Sequence, residues 1–213
     1  MSVTRLLVLG AVRIFQPAHG YLVRRELITW RAAEWAHLNP GSIYNALRSL
    51  TKDGMLLEEA KTPAASGPKA SYRLTADGET EFQTLVRTAL WELHPHEPSW
   101  LHAGLSFWWA LERSEVIAAL EARAAQLRVR ITASDYAVDS LPRMTGTPEH
   151  VVEHLWLQTA HLHGELEWVE QAIERLRSGA YGFLGEEPHR RNPAIDPFGP
   201  APSAMDSQKN IQA

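Results

Sequence analysis

Asn45, Arg48, Ser49 and Lys52 stand three or four residues apart along the stretch Pro40–Lys52. On a helix that spacing gathers them onto one side. An arginine fork donates two N–H groups to guanine, and an asparagine amide pairs with adenine. Ser42 and Tyr44 lie in the first turn of the same stretch. There, free backbone N–H groups and the positive end of the helix dipole suit a phosphate oxygen. Further on, Lys69 sits at the tip of a Gly/Pro-containing loop, within reach of a minor groove or a backbone, and Arg73 is a candidate phosphate contact. The chemistry these eight residues offer is recognition of duplex DNA. A polar helix face of this composition is also what plain solvation produces, so the surrounding elements have to decide.

Asn39 is a good N-cap and Pro40 suits the first helical position. Ile43, Leu47 and Leu50 recur at i, i+4 and i+7 and define a buried side, and Gly54 stops the helix. Two helices precede it. One spans about Thr4–Phe15, is apolar on nearly every face and ends before Pro17; the other spans about Tyr21–Trp30, with Leu22, Val23, Leu27 and Ile28 inward. After it, Met55–Ala60 and Ser71–Leu74 read as two strands around a loop at Thr62–Ala70. Three helices and a two-stranded wing make a winged helix-turn-helix. Such a fold delivers one polar helix to a major groove.

The charge is divided to match. Residues 1–90 hold 11 Lys and Arg against 8 Asp and Glu, whereas residues 91–213 hold 10 against 17. Only the first part is suited to a polyanion. The chain has no cysteine, which excludes disulfides and thiolate metal sites. It shows neither a signal peptide nor an apolar run long enough to span a bilayer, so a cytoplasmic location and no membrane partner are expected. No Gly-rich phosphate loop, nucleophile elbow or paired carboxylates stand out, so no enzyme activity, no catalytic residue and no cofactor are expected.

Several stretches together resemble the PadR-like transcription regulators: Leu6-Leu7-Val8-Leu9-Gly10, His19-Gly20-Tyr21, the run from Pro40 to Leu50, Lys52-Asp53-Gly54-Met55-Leu56, and the run from Tyr72 to Gly78. They occur in the family's order. The resemblance implies a winged-helix fold, a homodimer, and usually repression from an inverted-repeat operator. It also implies DNA contacts by Ser42, Tyr44, Arg48 and the wing residue Lys69. The wing here is poorer in Arg and Lys than is usual in the family, which leaves Lys69 nearly alone.

The remainder reads as mainly helical, giving a mainly α chain: residues 1–93 as the DNA-binding unit, 94–178 as a helical dimerisation unit, and 179–213 as a Pro/Gly-rich flexible tail. Thr75 caps a helix to about Leu93; further helices are expected over about 99–111, 114–136 and from the cap Thr147 onward. In the last, Val152, Thr159, Leu166 and Ile173, with Leu155, Leu162, Val169 and Leu176, form a four-heptad seam. Its apolar members are the expected dimer interface, with a contact inside one chain as the alternative. Trp108, Trp109, Trp156 and Trp168 are candidates for an effector pocket, although core packing is the commoner use of tryptophan. His150, His154 and His161, with Glu165, share a helix face but have no second ligand cluster, so no metal is expected.

The sequence thus reads as a dimeric DNA-binding repressor with a small-molecule effector of unknown identity. The alternative is a winged-helix protein-interaction module working through its heptad helix.

Overall fold

The computed structural model describes residues 2–62, 69–94, 97–140, 148 and 150–186, with the side chains of 60–62, 69 and 151 outside that description. The expected tip of the wing, the cap Thr147 and residues 187–213 therefore lie outside the described residues. So does the side chain of Lys69.

The protein is mainly α with one small antiparallel sheet. Helix α1 (Val3–Phe15) is capped by Ser2, whose hydroxyl accepts from the Arg5 N–H, and every residue from Leu6 to Val12 is buried. A helix with no solvent face must be surrounded. Indeed α1 meets α2 (Gly20–Thr29), α4 (Pro40–Lys52), strand β3 (Lys69–Leu74), α5 (Ala76–Trp91) and α6 (Ser99–Phe107). Two elements were not foreseen. Strand β1 (Ala18–His19) pairs with β3, and a short α3 (Ala32–Trp35) follows α2 after Arg31 takes a left-handed conformation. Ile28, expected inward on α2, is half exposed.

Asn39 begins α4 with a reciprocal cap, and Ile43, Leu47 and Leu50 are its buried residues. Gly54 ends it at φ +78°, where a side chain would be strained. β2 (Leu56–Thr62) then pairs antiparallel with β3, Leu56 opposite Leu74 and Glu58 opposite Tyr72, with a bulge between Glu59 and Thr62. The sheet order is β1-β3-β2. Thr75 caps α5 by accepting from the Gly78 N–H, as its position in the sequence suggests.

The boundary drawn at residue 93 is not a gap in packing. Phe107, at the end of α6, is fully buried, and its ring lies 5.4 Å from Phe82 of α5 and 6.0 Å from Trp30 of α2. It also covers Gly10 of α1, where a Cβ would come within 2.2 Å of the ring. The winged-helix unit and the helical arm that follows it, from α6 onward, share one core. The helix expected to reach residue 111 tightens into a 3-10 turn at Trp108–Ala110.

Helices α7 (Arg113–Ser140) and α8 (Val151–Arg177) pack against each other along their length. Val152, Val169, Ile173 and Leu176 are buried within the single chain, and Leu155, Leu162 and Leu166 are half-buried. Within the chain the seam packs in the way given as the alternative to a dimer interface. Heptad spacing marks a helix packed lengthwise, and α7 of the same chain is the packing partner seen. Thr159, the polar member, shares a 2.5 Å hydrogen bond with Ser134 of α7.

Residues 179–186 are not a free tail. Phe183 is buried, and Tyr181 and Phe183 lie 5.4 and 5.9 Å from Trp108. Arg113 donates to the carbonyls of Leu176, Ala180 and Tyr181 and to the Glu186 carboxylate, stitching this segment to the base of α7. At the centre of the arm, Arg123 is 3% exposed; it pairs with Glu165 of α8 at 2.6 Å and donates to the carbonyls of Leu90 and Glu92, which closes the end of α5.

Candidate nucleic-acid interface

The two sides of α4 have separate fates. The aliphatic side is locked onto α1, while Gly41, Tyr44, Asn45, Arg48, Ser49 and Lys52 are exposed. The eight candidates differ in which partners they meet within the chain.

Ser42 is committed to the cap. Its N–H donates to Asn39 Oδ1 at 2.8 Å, its hydroxyl donates to the Asn39 carbonyl at 2.7 Å, and its oxygen accepts from the Asn39 N–H at 3.1 Å. The first turn is thereby largely satisfied: Pro40 has no N–H, and the Ile43 N–H bonds to the Asn39 carbonyl. Among the described residues, the Gly41 N–H is the first-turn donor of α4 left over. The serine thereby sets where the helix starts.

Arg48 and Asn45 touch: an Arg48 Nη donates to Asn45 Oδ1. This contact holds the guanidinium against the helix and fixes the orientation of the amide. Both residues are exposed to solvent. The Ser49 hydroxyl is 3.4 Å from Asp53, which in turn pairs with Arg5 at 2.7 Å. The Arg5 guanidinium, by donating to it, holds the Asp53 carboxylate below its usual range. Lys52 and Arg48 are exposed cations on this face with no ion pair among the described residues.

Arg73 is engaged within the wing. It pairs with Glu59, its diagonal neighbour across the sheet. Successive strand residues point to opposite faces. Tyr72 is turned toward the side occupied by α4, so Arg73 is turned away from it. Its charge is spent on the wing itself. The Lys69 backbone is in β3, but the reach of its side chain lies outside the described residues.

The sequence reading missed one part of this face. His19, Gly20 and Tyr21 at the start of α2, Tyr44 of α4, and Ala70 and Tyr72 of β3 line an open recess beside the reading face. His19 Nδ1 lies 3.1 Å from the Ala70 carbonyl and ties β1 to the wing. Burial pushes the Tyr72 phenol above its usual range, with Glu58 adding to the effect and Arg48 opposing it. His-Gly-Tyr was visible as a motif, but only the fold brings it to Tyr44 and Tyr72.

The four tryptophans do not line one cavity. Trp108 packs on Tyr181 and Phe183; Trp109 lies under the Arg13 guanidinium, 5.3 Å from it; Trp168 packs on the arm core. Trp156 is half exposed, about 18 Å along α8 from Trp168 at the helical rise. His150, His154 and His161 are exposed, and His154 bonds to Gln158. Among the described residues, no three His, Asp or Glu side chains converge as a metal set. No described helix is long and apolar enough to cross a membrane.

Residues 8–84 match the model of the transcriptional regulator PadR-like family. That span takes in α1 from Val8 onward, α2, α4 and both wing strands. Comparison with curated proteins found no match. Among solved structures, the chain is similar to Bacillus subtilis PadR in complex with operator DNA, at 17% identity over 82% of this chain and 99% of that one, with a TM-score of 0.36. It is similar to a PadR-like transcriptional regulator from Bacillus cereus, at 17% identity over 82% and 98%, with a TM-score of 0.33. It is also similar to Bacillus subtilis PadR in complex with p-coumaric acid, at 17% identity over 82% and 99%, with a TM-score of 0.31. The match in sequence falls on the segment whose helices and two wing strands follow a winged-helix order, so residues 8–84 are similar to the PadR-like family of transcription regulators.

Proposed function

We propose that this chain is a DNA-binding transcription regulator, a cytoplasmic homodimeric repressor. It binds an inverted-repeat operator with two copies of α4 and lets go when an effector or another signal rotates the arms. The single observation that carries this reading is the division of α4, with Ile43, Leu47 and Leu50 buried and Tyr44, Asn45, Arg48, Ser49 and Lys52 exposed together beside the wing. One such face reads one half-site. Two half-sites about one DNA turn apart, roughly 34 Å, require a two-fold protein.

Exposed apolar groups on the arm support pairing with a second copy. Val129 and Tyr136 of α7 and Trp156 and Leu157 of α8 are exposed apolar side chains on the arm, with exposures of 71%, 76%, 52% and 56%. Covering such groups is what drives association. Release follows from geometry: changing the angle between arms changes the spacing of the two reading helices, and with it the affinity.

The test is fluorescence anisotropy with the promoter duplex from upstream of the protein's own gene, against a scrambled duplex of equal length. The wild type should prefer the promoter. Arg48→Ala should lose about 1–3 kcal/mol of that preference at one base position per half-site. Equal binding of wild type and variant to both duplexes would remove the operator-reading role and favour a protein-interaction module.

A further inference from the structure

We propose that the recess bounded by Tyr21, Tyr44 and Tyr72, with His19 at its edge, docks a single phosphate group of the DNA backbone and so fixes the register of α4 in the groove. The proposal deepens the operator-binding reading and rests on it. Three elements meet at this recess: the start of α2, the reading helix and the wing strand β3. A group held there is referenced to all three at once, which is what positioning contacts achieve without reading bases.

The tyrosines are suited to the task. The hydroxyls of Tyr44 and Tyr72 make no hydrogen bond among the described residues, in contrast to Ser42 and Arg73, whose polar groups are already engaged. Tyr44 is also held in place. Its ring lies on the bare Cα of Gly20, where a Cβ would be 3.0 Å from Tyr44 Cε1 and 3.3 Å from Leu47 Cδ1. The glycine of His-Gly-Tyr thus lets the reading helix and α2 close on each other with the tyrosine between them.

The charges around the recess select its occupant. Glu58 stands opposite Tyr72 on the neighbouring strand, and Arg48 acts on Tyr72 from α4. A free phosphate dianion gains little from a site with one carboxylate and one guanidinium nearby. A phosphodiester is singly charged and arrives on a duplex already held by Arg48 and Lys52, so it needs only neutral donors. At about 250 Å³ the open recess is also below the usual range for an enclosed small-molecule pocket.

The experiment compares the full-length wild type with Tyr44→Phe, Tyr72→Phe and the double variant on the own-promoter duplex and the scrambled duplex, over a salt series. Each loss of a hydroxyl should weaken binding about 3- to 20-fold. The factor should be the same on both duplexes, because no base is read. The slope of log affinity against log salt should not change, because a neutral hydroxyl displaces no counterion. Lys52→Ala, in contrast, should flatten that slope. Inorganic phosphate, added at constant ionic strength, should not compete. Wild-type binding with an unaffected double variant, a loss confined to one base pair, or competition by inorganic phosphate overturns this site alone. Failure of the wild type to bind either duplex overturns the regulator reading together with it.

Discussion

Replacing Gly10 by alanine tests the junction between reader and arm. A Cβ at Gly10 would lie 2.2, 2.3 and 2.7 Å from three atoms of the Phe107 ring. Carbon atoms rest about 3.5–4.0 Å apart, so ring or helix would have to move by more than about 1 Å. The ring has little room to swing, being fully buried with Phe82 and Trp30 against it. Overpacking of this kind costs about 1–3 kcal/mol. Alanine returns up to about 1 kcal/mol through its helix propensity. The net expectation is a loss of about 1–2 kcal/mol, which for a chain of this size lowers Tm by about 2–8 °C. The assay is thermal unfolding followed by circular dichroism at fixed protein concentration, because self-association would shift Tm. Phe107→Leu supplies the control, since it shortens the clashing group. The double variant should be more stable than the sum of the two single losses by about 1 kcal/mol. A Gly10→Ala protein with a raised Tm, or strict additivity with Phe107→Leu, would refute the packing argument.

Three other expectations concern the arm and the reading face. Glu165→Ala leaves the buried Arg123 guanidinium with carbonyl acceptors only, and should cost about 2–3 kcal/mol in urea unfolding. Arg128→Ala, which breaks the exposed pair with Glu170, should cost far less; equal losses would contradict the burial argument. Leu157→Glu should shift the protein toward monomer in sedimentation velocity with its helical signal unchanged, and a wild type that sediments as a monomer would remove the dimer proposal. Finally, the Asp53 carboxylate should titrate below the usual range in an NMR pH series, and Arg5→Ala should return it toward that range. A depressed folded-state pKa means that the Arg5–Asp53 contribution is present above the unfolded pKa and is lost as pH falls through the folded one. An Asp53 titration unchanged by Arg5→Ala would contradict that pairing.

What could be read in advance was local. Asn39 and Pro40, the Ile43-Leu47-Leu50 spacing and Gly54 fix the start, inner side and end of α4 with neighbours no more than a few residues away. Thr75 announces α5 for the same reason. The two-residue strand Ala18–His19 has no period to detect; its identity comes from Ser71 and Tyr72, more than fifty positions later. The same distance hides the tyrosine recess and the Phe107–Gly10 contact. The heptad spacing of α8 correctly marks a lengthwise contact, yet an a/d pattern carries no information on whether the opposing helix belongs to the same molecule. Phe183 follows a glycine-rich turn and carries no repeat, so its return onto Trp108 was not visible. Polar partners inside the chain also went unread: Ser42 and Arg73 have the chemistry of phosphate ligands, and Asn39 and Glu59 engage them within the fold.

The insertion of Phe107 into the reader has a consequence for protein engineering. Regulators are often treated as interchangeable modules, with a recognition head spliced onto a new sensor. Here a splice after residue 93 would strip an aromatic plug from the middle of the head and leave Gly10 facing a hole. A working chimera would have to carry α6 along with the head, and a graft that respects this seam would inherit whatever angle the plug dictates.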